Sequence, residues 1–266
     1  MDLGLRDRAC IVTGASGGIG GATAELFAQE GAAIVLVGRR EDRLGLVAQR
    51  CTELGGRALP LVVDLTAAEA GDRVVETCEQ EFGRVDALVN TAGATAARSL
   101  EELTEEDWQR QWELNVLAPM RLMRAAAPLM AQSGFGRIVN ISSSAGKRPS
   151  GTNLMPYSVT KAAELSLSRA FADLYAGQGV LVNAITPGPI GDDVWLAPGG
   201  LADQLAQKNQ VSRNDVLERT AAGVPLGRLG SAQEIAAVIV FLCSERASNV
   251  AGAAWSVDGG SVPVII

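Results

Sequence analysis

The sequence predicts a doubly wound α/β fold, a seven-stranded parallel sheet with helices on both faces. Three observations lead there. Short β-branched runs alternate with longer helical patterns along all 266 residues, the rhythm of strand–helix–strand units. The β-branched runs are nearly continuous in apolar residues, as strands buried on both faces of a parallel sheet require. A glycine-rich turn follows the first run directly.

In order, strands are expected at 9–13, 33–37, 59–63, 87–90, 137–141, 180–185 and 253–257. Helices are expected at about 18–30, 41–54, 67–82, 104–130, 157–176 and 231–244. No linker, repeat or low-complexity stretch divides the chain, so residues 1–266 are read as a single domain. The rhythm breaks at about 187–223, which opens Pro187-Gly188-Pro189 and carries two short polar helical patterns. A segment this long before the last helix suggests a lid or specificity loop, or else a surface excursion.

Composition removes several function classes. The net charge of −7 argues against broad nucleic-acid binding. The longest apolar run, 235–243, is too short to span a bilayer. The N-terminus lacks a secretory pattern, and a cytoplasmic protein is expected. The four cysteines form no CxxC pair, so reduced, mostly buried thiols are expected and no metal site. The chain has no histidine. Ser-His-Asp and Cys-His catalysis and nearly all catalytic zinc arrangements are thereby removed. Proton transfer near neutrality falls to carboxylate, tyrosine, lysine or cysteine.

After the first strand comes Thr13-Gly14-Ala15-Ser16-Gly17-Gly18-Ile19-Gly20. Glycines at a strand–helix junction let the backbone approach a pyrophosphate, which then meets the free N–H groups of the helix N-terminus. Gly14, Ser16 and Gly18 also satisfy G-x-S-x-G, but without a histidine Ser16 has no usual base. At the end of strand two, an acid would hydrogen-bond a ribose 2′-hydroxyl and repel a 2′-phosphate. Gly38-Arg39-Arg40 stands there instead, which favours NADP(H) over NAD(H). The bland alternative is two solvated arginines beside Glu41 and Asp42.

Tyr157 and Lys161 are four apart in a helical stretch, hence on one face. An ammonium beside a phenol favours the phenolate, which suits a group that gives and retakes a proton at a carbonyl oxygen. Alone, such a pair is usually a surface neighbour pair. Ser142-Ser143-Ser144 lies at the end of strand five, where open α/β sheets bind ligands, although serines after strands are commonly turn formers.

Together these residues resemble the short-chain dehydrogenase/reductase family, a Rossmann-fold family, in its common non-extended form. The resemblance runs from Thr13-Gly14 to Val257-Asp258-Gly259-Gly260 through Val63-Asp64, Asn90-Thr91-Ala92-Gly93, Asn115, Ser143, Tyr157/Lys161 and Asn183 to Pro187-Gly188. It implies Tyr157 as general acid/base, and Lys161 on the nicotinamide ribose. Ser143 would lie on the substrate carbonyl, and Asn115 would hold a water in a proton relay. It implies a cofactor site of Gly14, Ser16, Gly18, Ile19, Gly20, Arg39, Arg40, Asp64, Leu65, Asn90, Ala92, Gly93, Lys161, Pro187, Gly188 and Ile190. Two departures stand out. Thr91 replaces the family's second Asn, and Asp192 stands where the family places a threonine against the nicotinamide carboxamide.

The resemblance implies interconversion of a ketone and a secondary alcohol, nearest in overall look to 3-oxoacyl-carrier-protein reductases. A carrier-protein partner would need a basic patch, for which Arg137, Lys147 and Arg148 are candidates, or equally a solvated rim. Rival readings are a catalytically silent NADP-binding sensor and a dehydratase or isomerase on the same fold. A homotetramer, or a homodimer, is implied, with small residues Ala162, Ala163, Ser166 and Ala170 permitting close helix approach.

Overall fold

A computed structural model describes residues 2–95, 97–149 and 153–263. Seven parallel strands form one sheet: β1 (Ala9–Thr13), β2 (Ala33–Gly38), β3 (Arg57–Val62), β4 (Ala87–Asn90), β5 (Gly136–Ile141), β6 (Val180–Pro187) and β7 (Ala254–Val257), in the order β3-β2-β1-β4-β5-β6-β7. Alternate residues along each strand face opposite layers. Cys10 and Val12 of β1 pack under α1 (Gly18–Gln29), α2 (Glu41–Glu53) and the later α11. Ala9 and Ile11 pack under α3 (Ala70–Phe82), α5 (Ala118–Ser133) and α7 (Met155–Tyr175). α11 spans Ala232–Cys243.

Burial of both strand faces holds for β1, β4 and β5 but not at the margins. β3 and β7 are the sheet edges, and most of their residues are exposed or half-buried. Pro60 is tolerated in β3 because an edge strand has no second neighbour awaiting its missing N–H.

The single helix expected over 104–130 is three pieces. α4 (Glu105–Trp112) ends in a π-helical turn at Glu113–Leu117, and α5 follows. Pro119, near the start of α5, lacks the N–H that would close the helical bond to the Asn115 carbonyl four residues back. Among the described residues, 187–223 carries three helices rather than two: α8 (Asp193–Leu196), α9 (Leu201–Asn209) and α10 (Arg213–Ala222). A short α6 (Ser144–Lys147) precedes α7.

All four cysteines are free and buried. Burial pushes the Cys78 and Cys243 thiols up to about 12, which leaves them unreactive near neutrality.

Candidate active site

Strand order reverses between β1 and β4, so their C-terminal ends splay around a crevice. The glycine turn occupies it. Gly14 takes a φ of +63°, and a Cβ on Gly20 would stand 2.5 Å from the Gly14 carbonyl oxygen. No larger residue fits either place without backbone movement. Helix α1 begins at Gly18, after an N-cap, Gly17, that offers no side-chain cap, and has no acid in its first turn. Gly18, Ile19 and Gly20 border the cleft, and first-turn N–H groups of a helix are free to meet an anion.

Thr91 ties this turn to β4. Its hydroxyl donates to the Thr13 carbonyl, while the Thr13 hydroxyl accepts from the N–H groups of Thr91 at 3.1 Å and Ala92 at 3.2 Å. The threonine in place of the family's second asparagine thus performs a local tether.

At one end of the cleft stand Arg39, Arg40, Asp64 and Leu65. Arg40 Nη2 donates to Ser16 Oγ at 3.1 Å, bridging strand two to the glycine turn. The Thr66 backbone and side-chain hydrogen bonds hold the Asp64 carboxyl below its usual range, with a smaller contribution from the Arg39 charge. Both arginines therefore flank the same corner, Arg40 toward Ser16 and Arg39 toward Asp64.

At the other end stand Ser143, Tyr157 and Lys161. Ser143 Oγ accepts from the Ala145 N–H at 3.1 Å, leaving its own proton to donate. Ser142 is excluded from that role: its hydroxyl is buried and donates to the Lys161 carbonyl at 2.7 Å. Lys161 Nζ lies 5.9 Å from the Tyr157 ring centre. It donates to the Ile141 carbonyl at 2.7 Å and to Glu164 at 2.8 Å.

Two expected site residues lie behind the cleft wall. Asn115 is fully buried. Its amide nitrogen meets the Ala94 carbonyl, Gln111 and Thr160, and its oxygen accepts from the Ala94 N–H. Asn90 is buried in the sheet, its amide donating to Asn140 at 2.8 Å. Ala92, Gly93, Pro187, Gly188 and Ile190 do border the cleft.

Asp192 does so too, but above the phosphate turn. Its Oδ1 accepts from the Val194 N–H at 3.1 Å, capping α8, and its Oδ2 stands 3.0 Å from where a Gly18 Cβ would be. Burial pushes its carboxyl up, the Val194 backbone bond opposes this, and Asp193 pushes it further up. Helix α9 forms the facing wall: Gln204 accepts from the Ala97 N–H at 3.0 Å, and Lys208 meets Glu102 at 3.1 Å.

The expected basic patch does not assemble. Arg137 is 5% exposed and donates to the Ser244, Gly136 and Gly179 carbonyls. Lys147 donates to Ala254 and Ser256. Only Arg148 of the three borders the cleft. β-strand pairing placed Arg137 at an interior register position, which its charge alone does not reveal. Sequence reasoning also missed Glu164, although an acid three residues after a helical lysine is a readable signal.

The cleft encloses about 990 Å³ and runs unbroken from Arg39 and Arg40 past the glycine turn to Tyr157 and Lys161. A glycine cradle, free helix N–H groups, cations at one end and an ammonium at the other fit an extended anionic dinucleotide.

The family model described as Enoyl-(Acyl carrier protein) reductase matches residues 14–261. The 3-oxoacyl-acyl-carrier-protein reductase of Thermotoga maritima is 35% identical over 260 residues, covering 97% of this chain and 99% of that protein. The crystal structure of L-sorbose reductase from Gluconobacter frateurii, complexed with NADPH and L-sorbose, is 38% identical with a TM-score of 0.92, covering 100% of both chains. An NAD+-bound xylitol dehydrogenase structure is 30% identical with a TM-score of 0.89, covering 96% of this chain and 99% of that one. The chain belongs to the short-chain dehydrogenase/reductase family. It is an oxidoreductase of the CH–OH/C=O type.

Proposed function

We propose that the protein is an NADP(H)-dependent carbonyl reductase, interconverting a ketone and a secondary alcohol with Tyr157 as general acid/base. The observation that carries this is the single cleft joining the glycine turn and its arginines to Ser143, Tyr157 and Lys161. The cofactor, when bound, supplies hydride to the carbonyl carbon. The protein binds, orients and moves the proton.

The N–H groups at Gly18, Ile19 and Gly20 receive the pyrophosphate. Ser16, Arg39 and Arg40 receive the 2′-phosphate, which guanidinium forks match in geometry. Asp64 and Leu65 bound the adenine, Ala92 and Gly93 the adjoining ribose, and Pro187, Gly188 and Ile190 the nicotinamide side. An ammonium has three N–H donors. Lys161 uses two within the protein and keeps one for ribose hydroxyls. Ser143 donates to the carbonyl oxygen, and Tyr157 delivers its phenolic proton there as the alcohol forms; in oxidation Tyr157 takes it back. The Asn115 side chain is occupied, so its part in a relay is to present a main-chain carbonyl to water.

The ketone's identity is the finer question. A 3-oxoacyl thioester has the support of the Thermotoga relative, but the absence of a patch at Arg137 and Lys147 counts against a carrier-protein partner. A polyhydroxy ketone is the second reading, favoured by the full-length likeness to L-sorbose reductase. We take 187–223 as the lid that selects between them.

Tetramerisation fits the exposed Val159 and Leu174 on α7 and Trp255 on edge strand β7. Among the described residues, no helix is long and apolar enough to cross a membrane.

The test is NADPH oxidation with ketoses, simple ketones and β-keto thioesters. Turnover with NADPH exceeding that with NADH supports the proposal. Tight NADPH binding without turnover of any ketone points to a silent sensor. Substrate conversion without nicotinamide oxidation points to a dehydratase or isomerase.

A further inference from the structure

Behind Lys161 lies a second charge that the reaction as described does not use. Glu164, three residues along α7, accepts from Lys161 Nζ through Oε2 at 2.8 Å. Their side chains are 4% and 1% exposed, with the glutamate the more enclosed. Taking two charges out of water costs several kcal/mol each, and removing one partner of such a pair leaves the other charge buried and unpaired. Apolar packing therefore does not account for a carboxylate here. Its contact with the lysine does.

Lys161 is the one charged group among the described residues that shifts Glu164. Neighbouring elements direct their charges elsewhere. Asp107 of α4 is turned to Arg98 and Arg110, and Glu113 of the π turn to Arg121 of α5. Arg124 of α5 is exposed. Lys147 of α6 is held by Ala254 and Ser256, and Arg137 of β5 by backbone carbonyls. β6 carries no charged residue. On α7 itself, Tyr157 faces the pair from the cleft side.

The pair's protonation follows from this enclosure. Burial lowers the Lys161 ammonium, but the charges of Glu164 and Tyr157 and the Glu164 hydrogen bond outweigh it, leaving the group above its ordinary value. Burial pushes the Glu164 carboxyl up to about 7, with Lys161 opposing the rise. The lysine thus stays charged across the working range, while the charge behind it appears as pH rises through neutrality.

We infer that Glu164 is a positioning residue for the proton transfer. It holds Lys161 against the Ile141 carbonyl, and by offsetting the ammonium's charge it sets the pH at which the site turns from giving a proton to taking one. The inference rests on the roles of Tyr157 and Lys161 proposed above. An uncompensated ammonium stabilises a negative charge beside it. A carboxylate in contact weakens that pull, so with Glu164 ionised the proton-donating form, which ketone reduction needs, persists to higher pH.

The experiment is Glu164→Gln, which keeps the side-chain volume and removes the charge. kcat and KM are measured against pH in both directions, alongside Tyr157→Phe. The acid limb of alcohol oxidation should move roughly one pH unit lower, about a tenfold faster oxidation on that limb. The basic limb of ketone reduction should move the same way. The two enzymes should differ above a pH of about 7, where the native carboxyl is ionised, and converge below it. A uniform loss of kcat with unmoved limbs would mean a packing role and overturn the inference.

If the Gln variant does not fold, Glu164→Asp keeps the charge but shortens the reach. Limbs in place with kcat down about tenfold support positioning, and an unchanged kcat overturns it. If Tyr157→Phe retains activity, the reading of the site itself fails. If that variant is inactive while Glu164→Gln leaves the limbs unmoved, only the role of Glu164 fails.

Discussion

The two ends of the cleft are made of different material. At the proposed phosphate end the main chain predominates: residues 13–20 are contiguous, and the lining offers backbone N–H groups and absent side chains. At the carbonyl end, side chains converge from separate elements: Ser143 after β5, and Tyr157 and Lys161 on α7. A main-chain site has few degrees of freedom and tolerates no added atoms. A side-chain site is tuned by what stands behind it, as Glu164 stands behind Lys161.

Mutation should separate the two ends, and the largest effect belongs to the carbonyl end. Tyr157→Phe should lower kcat by about 10²–10⁴-fold, while NADPH affinity, read by fluorescence titration, changes little. A variant within tenfold of the parent would dissolve the distinction between the two ends.

Gly20→Ala probes the other end. The added Cβ meets the Gly14 carbonyl at 2.5 Å and the Thr91 hydroxyl at 2.7 Å. Thermal unfolding should show a loss of roughly 1–3 kcal/mol, typical of overpacking, and NADPH and NADH binding should weaken together. Selective loss of one cofactor would contradict a backbone site.

Selectivity belongs to the arginine corner. Arg40→Ala, and separately Arg39→Ala, should raise KM for NADPH about tenfold, as expected for one lost charge-assisted bond, with KM for NADH nearly unchanged. Equal rises for both cofactors would remove the 2′-phosphate from this corner.

The smallest effect should come from Asp192→Asn. Its carboxylate lies over Gly18, where a pyrophosphate brings like charge, so the variant should bind NADPH about threefold more tightly, an effect moderated by solvent. Because its carboxyl is raised, that charge is lost as pH falls from neutrality toward the acid range. The advantage of the variant should shrink accordingly, and a pH-independent advantage would point to a cause other than charge.

Legibility in the sequence tracked the same division. The glycine turn, the strand starts and the Tyr157–Lys161 spacing are local, and the structure places them as periodicity and turn chemistry require. What misread was relational. Arg137 passed for a surface cation because strand register, not composition, buries it. Residues 104–130 passed for one helix because Pro119 sits inside an otherwise helical pattern. β3 and β7 passed for fully buried strands because edge position follows from sheet order, which no single run encodes. Asn90 was expected to line the cofactor site and Asn115 to hold a relay water, and the structure sets both side chains behind the cleft wall.

The chain alone determined the strand–helix alternation, the glycine turn after β1, the lack of any histidine-based chemistry and the Tyr157–Lys161 spacing. These depend on contiguous residues or on composition, which three-dimensional folding does not alter. Tertiary structure alone decided that Ser143 rather than Ser142 offers a free proton and that Asp192 leans over the phosphate turn. It alone decided that a buried glutamate meets Lys161. Those facts concern which donors and charges are left unpaired once the interior closes, and pairing is a property of neighbours in space.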